Sequence, residues 1–223
     1  MKKVSKISLI VAVILIVVGV SFLIINKNNK QENNDTKENL ITFDAPKDIK
    51  YKTAFINNNS EFVILLENNS NESIVNANLK IKFNNEEKVE EINFLNKDSK
   101  YMVVTKIPEN LVNNINNEKI NITLDVIKKK SINNIDLSSL NNNINYTPIE
   151  NGEYINIDIK GNNTTSKDIS FLTGIVVLYN NNKIVEAKTF GIENIKAKSN
   201  FSYVISCSNV NYEKLEIYYT NAF

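Results

Sequence analysis

Residues Val75-Asn76-Ala77-Asn78-Leu79-Lys80-Ile81-Lys82-Phe83 alternate apolar and polar side chains without a break. Successive side chains of a strand point to opposite faces, so this run offers one face to a core and the other to water. The same period of two recurs in Ile120-Asn121-Ile122-Thr123-Leu124-Asp125-Val126 and in Ile155-Asn156-Ile157-Asp158-Ile159-Lys160. Working outward, further strands are expected at 49–56, 61–67, 88–95, 100–106, 169–179, 184–190, 200–206 and 214–220. Antiparallel sheets with one solvated face give this pattern. Helical signals are few. Pro108 to Ile115 has Pro at a possible first turn and apolar spacing of three to four, and 135–140 is a second short candidate.

An internal repeat organises the strands. Glu61-Phe62-Val63-Ile64 matches Glu153-Tyr154-Ile155-Asn156, and the turn Asn68-Asn69-Ser70 matches Asn162-Asn163-Thr164. Phe83-Asn84-Asn85 matches Tyr179-Asn180-Asn181, and Ser99-Lys100-Tyr101 matches Ser199-Asn200-Phe201. Each copy holds some seven short strands, the number and size of an immunoglobulin-like sandwich. Neither copy has the disulfide or buried Trp of antibody domains. The expected fold is therefore all-β, with two tandem immunoglobulin-like β-sandwiches following an N-terminal transmembrane helix. The expected boundaries are 1–26 for a cytoplasmic tail and anchor, 27–45 for a flexible stalk, 46–130 for the first sandwich, 131–145 for a linker and 146–223 for the second.

Each copy resembles the bacterial FxLYD-type immunoglobulin-like domains. The likeness is carried by a strand ending in a polar turn (Glu67-Asn68-Asn69-Ser70; Lys160-Gly161-Asn162-Asn163). A long strand then closes on an aromatic and a turn (Phe83-Asn84-Asn85; Leu178-Tyr179-Asn180-Asn181), and Ser precedes an aromatic strand (Ser99-Lys100-Tyr101; Ser199-Asn200-Phe201). The Asp and Gly usual at the hairpin are Asn here, and the Pro-Gly turn is absent. The resemblance implies a fold without a catalytic site more than it implies a function.

The amino terminus reads differently. Ile7 to Ile25 holds nineteen residues without a charge, preceded by Lys2, Lys3 and Lys6. As a helix it spans roughly 28 Å, close to the hydrocarbon thickness of a bilayer. No small-x-small cleavage site follows, so an uncleaved anchor is expected, with a cleaved signal as the alternative. Residues 1–30 carry five Lys and no acid, which leaves 21 Lys against 25 acids beyond them. The positive-inside bias then predicts a single-pass cell-membrane protein, its N-terminus cytoplasmic and its body extracellular. A mildly acidic body is poorly suited to phosphate, so no nucleic-acid partner is expected.

Composition removes most catalytic tools. The 223 residues include no His, no Arg, no Trp and one Cys, against 42 Asn and 32 Ile. Imidazole bases, Cys-rich metal sites and guanidinium clamps are excluded. An A/T-rich genome produces the same bias, so these absences follow from coding as well as from function. Cofactors and metal ligands are not expected. Glu86-Glu87 and Glu90-Glu91 read as the solvated face of a hairpin, and Lys128-Lys129-Lys130 as a linker boundary. Cys207 reads as a small buried residue, with an intermolecular disulfide as the other reading. Gly152 and Gly161 read as turn residues, and Gly174, inside a strand, as a bulge or close backbone approach.

The candidate partner-binding residues are Tyr218, Tyr219 and Phe223. On a strand, Tyr218 and Tyr219 face opposite sides, which places one in a core and the other at the surface. The expected role is a non-catalytic surface protein that binds, adheres or assembles with an unknown protein or cell-envelope partner. An accessory subunit of a membrane transport or secretion complex is the alternative. An enzyme is not expected.

Overall fold

The computed structural model describes residues 40–130 and 137–223. The expected anchor at 7–25 lies outside the described residues. Among the described residues, no helix is long and apolar enough to cross a membrane.

Thirteen strands and one short helix account for most of this region. The first set is β1 (Ile41–Asp44), β2 (Ile49–Ile56), β3 (Glu61–Asn68), β4 (Ser73–Phe83), β5 (Glu86–Ile92), β6 (Ser99–Lys106) and β7 (Ile120–Lys130). After the helix α1 (Leu137–Asn141) come β8 (Asn145–Asn151), β9 (Tyr154–Asn162), β10 (Ile169–Asn180), β11 (Lys183–Ile195), β12 (Asn200–Ser208) and β13 (Lys214–Ala222). They form four sheets, ordered β1-β7-β4-β5, β2-β3-β6, β11-β10-β13 and β12-β9-β8. The strand order repeats: β7-β4-β5 corresponds to β13-β10-β11, and β2-β3-β6 to β8-β9-β12. All pairings are antiparallel except β1 with β7.

Alternation explains the core of each half. In β4, Ala77, Leu79, Ile81 and Phe83 are buried against Phe62, Ile64 and Leu66 of β3. The second half repeats this with Ile155, Ile157 and Ile159 of β9 against Leu172, Val176 and Leu178 of β10. The polar alternates face outward, where Lys80 pairs with Asp125 at 2.6 Å and Lys160 with Asp158 at 3.1 Å.

β3 and β10 break the alternation. Phe62 to Leu66 and Ile175 to Tyr179 are continuously apolar, and every residue in both runs is buried. Such runs mark strands covered on both faces. Val63, Leu65 and Met102 on the outer face of β2-β3-β6 meet Ile175, Val177, Tyr179, Ile184 and Ala187 on the outer face of β11-β10-β13, in a third apolar cluster. Residues 39–223 thus form one compact unit.

Several expectations change. Ile41–Asp44, placed by sequence in the stalk, is the edge strand β1, with Phe43 partly buried and stacked on Tyr51 at 4.1 Å. The expected linker 131–145 contains α1 and the start of β8, a strand exposed at all seven positions. β8 escapes the period-two test because nothing buries one of its faces, and its Pro148 suits an edge strand. The expected helix at 108–115 is a set of turns that ends in a 3-10 turn at Ile115–Asn117. Gly161, read as a turn residue, lies inside β9 opposite Phe201. Lys128–Lys130 extends β7 instead of leaving it.

The turn repeat is sharper than the sequence match, and shifted by one residue. Asn68 Nδ2 donates to the Glu72 and Leu95 carbonyls at 2.9 and 3.2 Å, and its Oδ1 accepts from the backbone N–H and hydroxyl of Ser70. Asn163 does the same with the Lys167 and Lys196 carbonyls and with Thr165. The equivalent residues are therefore Asn68 and Asn163, not Asn68 and Asn162. The hairpins shift likewise, because β10 continues through Asn180 and the second turn falls at Asn181-Asn182. Both of those residues have positive φ.

Asparagine supplies most of the left-handed backbone. Asn57, Asn58, Asn59, Asn84, Asn181, Asn182 and Asn194 all have φ between 49° and 64°, joined only by Asp98 and Lys198 among non-glycine residues described. Asn tolerates this region better than other residues with a Cβ.

Candidate functional site

The candidate site is the seam between the two halves. At one end, the β5–β6 connection meets the last residues of β13. Asn96 Nδ2 donates to the Thr220 carbonyl and to Asn221 Oδ1, both at 2.8 Å and both buried. Phe94 approaches Phe223 with ring centroids 6.4 Å apart. The backbone of Phe223 extends the ladder beside β10, donating to the Phe171 carbonyl at 3.0 Å and accepting from Ser170 at 2.6 Å.

Beside this contact lies a groove of about 580 Å³, lined by aromatic side chains that include Phe94, Phe171, Tyr203 and Phe223. Thr173, Thr189, Thr220, Asn93 and Asn221 also line it. Phe223 is 58% exposed and Phe171 38%. Burying such rings on a partner is worth more than area alone when they stack.

Glycines shape the groove. A Cβ on Gly191 would lie 2.6 Å from Phe171 Cζ, so the missing side chain lets that ring lie across β11. A Cβ on Gly174 would meet Phe190 Cζ at 2.3 Å, and β13 shifts register beside it at Thr173/Gly174. The sequence reading of Gly174 as a bulge or close approach matches both observations. Phe190 is packed inside the core, whereas Phe171 can swing toward solvent. Gly174→Ala should therefore destabilise the protein by about 1–3 kcal/mol, the range for overpacking, and Gly191→Ala by less. Urea unfolding of the two variants checks the order.

At the other end of the seam the chemistry is charged. The Lys100 ammonium lies 3.8 Å from the centroid of the Tyr218 ring, a cation–π contact across the two halves. Burial lowers the Lys100 pKa, opposed by Glu216 and Glu67. The Tyr218 hydroxyl donates to Glu216, and burial, reinforced by that carboxylate, holds the phenol far above its ordinary range.

The three candidate residues from sequence thus separate. Phe223 lines the groove. Tyr218 is half-buried in the seam. Tyr219 is 1% exposed, packed against Phe190 and Phe201 inside the second half, so its side chain does not reach a surface. Its hydroxyl has no partner among the described residues, and burial raises its pKa. Phe94, Asn96 and Phe171 were not singled out from sequence. Phe171 precedes the continuous apolar run of β10, and nothing local distinguishes it from a core residue.

Cys207 is buried, with its thiol pushed up to about 11 by burial and by Glu186. This is the small-core-residue reading, and burial removes the thiol from an intermolecular disulfide. Glu186 is itself buried and accepts from the Ala187 and Ser208 N–H groups at 2.9 and 3.2 Å, which ties β11 to β12. Among the described residues, no group of three or more Cys, Asp or Glu could hold a metal ion.

No protein-family model matches the chain, and no curated protein matches it. Among solved structures, red sea bream transglutaminase aligns with a TM-score of 0.23 and 5% identity, over 78% of this chain and 29% of that one. The chain spans less than a third of that protein, and so low a score carries no argument about fold or activity.

Proposed function

We propose that the chain is a non-catalytic surface protein of the bacterial cell membrane. It is held by Ile7 to Ile25 and displays two immunoglobulin-like sandwiches of the FxLYD kind outside, for binding or envelope assembly. The observation that carries this reading is the repeated order of sheets. Two six-strand units share one topology, and β1 brings the first to the seven strands of such a sandwich. The uncharged amino-terminal run supports the anchor. The aromatic groove at the seam supports binding.

A cysteine-labelling experiment tests the topology. Cys207 is buried and its thiol is protonated at neutral pH, so the natural chain should resist a membrane-impermeant maleimide. Ser202 is exposed on β12. Ser202→Cys should label in intact cells and fractionate with membranes. Labelling only after permeabilisation, or recovery in the soluble fraction, would contradict the proposal.

A further inference from the structure

We propose that the seam groove takes an uncharged, extended peptide segment of another envelope protein, added as a strand beside β11; this rests on the reading of the chain as a binding protein. Three observations converge on that occupant. First, the described lining contains no Lys, Asp or Glu, although charged residues make up 23% of the chain. It contains six aromatics and a Met instead. Aromatic enrichment with charge depletion is the signature of the buried centre of a protein interface. A charged group seated there would lose its hydration without gaining an ion pair.

Second, the groove runs onto a sheet edge. β11 pairs only with β10, so its other side has no ladder partner; β12 packs against it through side chains, with Tyr203 stacked on Phe190 at 5.6 Å. Glu186 and Lys188 tie the first part of that edge to β12, through Ser208 and the Ser206 carbonyl. Beyond them, Thr189, Phe190 and Gly191 line the groove itself. An extended peptide placed there gains main-chain hydrogen bonds from the edge and side-chain contacts from the groove, the pairing that defines strand addition.

Third, the equivalent edge in the first half is defended. β5 carries Glu86, Glu87, Lys88, Glu90 and Glu91 among its seven residues. Charge on an edge strand deters pairing. β11 carries Lys183, Glu186, Lys188 and Glu193, but the stretch Thr189-Phe190-Gly191-Ile192 between the last two has neither charge nor Pro. Counted by ladder partner from the two hairpin turns, Thr189 stands where β5 has Glu91, and only the β11 edge lies beside exposed Phe171 and Phe223.

The test uses the full-length chain in detergent micelles and a fluorescently labelled peptide, Thr-Ile-Thr-Phe-Thr-Ile-Thr, followed by anisotropy. A control peptide has Lys in place of Ile and Phe. Saturable binding of the first peptide alone is expected. Phe171→Ala and Phe223→Ala should each weaken it about tenfold or more, as truncation of aromatic anchors does, and Val204→Ala, on the outer face of β12, should leave it unchanged. Methylating alternate peptide nitrogens should abolish binding for one set of positions and spare the other. The proposal is overturned by absent binding, by equal binding of the Lys peptide, by indifference to both Phe variants, or by both methylated sets behaving alike. Competition by cellohexaose would assign the groove to a neutral sugar and also overturn it. Failure here leaves the membrane topology untouched, because Ser202→Cys labelling reads that separately.

Discussion

Val63→Asp should split the unfolding of this protein into two transitions. Val63 is fully buried on the outer face of β3, opposite the outer face of β10 and β11. Each half keeps its own core without it, since Phe62, Ile64 and Leu66 point the other way. The seam is different in kind. Nine buried side chains form it, and each of the larger ones contributes about 1.5–3 kcal/mol through burial. While the seam holds, neither half can unfold without exposing the other's apolar face, so the natural chain should show one cooperative transition in urea. A carboxylate at position 63 must be either desolvated or exposed by opening the seam, and opening is the cheaper course when two folded halves survive it. Circular dichroism should then show two steps. Val63→Thr, with a small polar group, should keep one transition at a lower midpoint. Two steps already present in the natural chain would show that the seam contributes little to cooperativity.

Asn68→Ala should be among the most damaging single changes, at about 3 kcal/mol or more. The side chain is wholly buried and makes four hydrogen bonds. Removing it leaves the Leu95 and Glu72 carbonyls and the Ser70 N–H with fewer partners, and unsatisfied buried groups cost about 1–3 kcal/mol each. Asn163→Ala should act similarly in the second half, and somewhat less, because part of its network is exposed. Asn69→Ala, on an exposed neighbour, is the control and should shift the urea midpoint little. Equal effects at positions 68 and 69 would show that the buried amide is not a keystone of the turn.

Much of this architecture was legible in the residues. Val75 to Phe83 and Ile155 to Lys160 alternate because one face of each strand meets water, and the structure keeps that division. The repeat was visible too, but its register was not. Consecutive asparagines at 68–69 and 162–163 look alike in sequence, and only hydrogen bonding tells Asn163 from Asn162. The seam left a trace in the unbroken runs Phe62 to Leu66 and Ile175 to Tyr179. Those runs announce strands covered on both faces without saying what covers them. The groove was mostly hidden, since Phe94 and Phe171 acquire their role only when the two halves meet. Among the three proposed contact residues, strand alternation separates Tyr218 from Tyr219, but it does not show that the face opposite Tyr219 is covered. That cover leaves Tyr218 half-buried in the seam and not at a surface.

The left-handed asparagines bear on how relatives of this chain would be found. Positions 57–59, 84, 181–182 and 194 need a backbone that glycine adopts most easily, and here asparagine, with codons rich in A and T, adopts it. A lineage with a different base composition is free to write Gly or Asp at those positions without altering a turn. The same substitution would erase the residue identities on which sequence comparison depends. Descent in this fold is therefore better traced by the spacing of left-handed positions, and by the paired amides Asn68 and Asn163, than by overall identity.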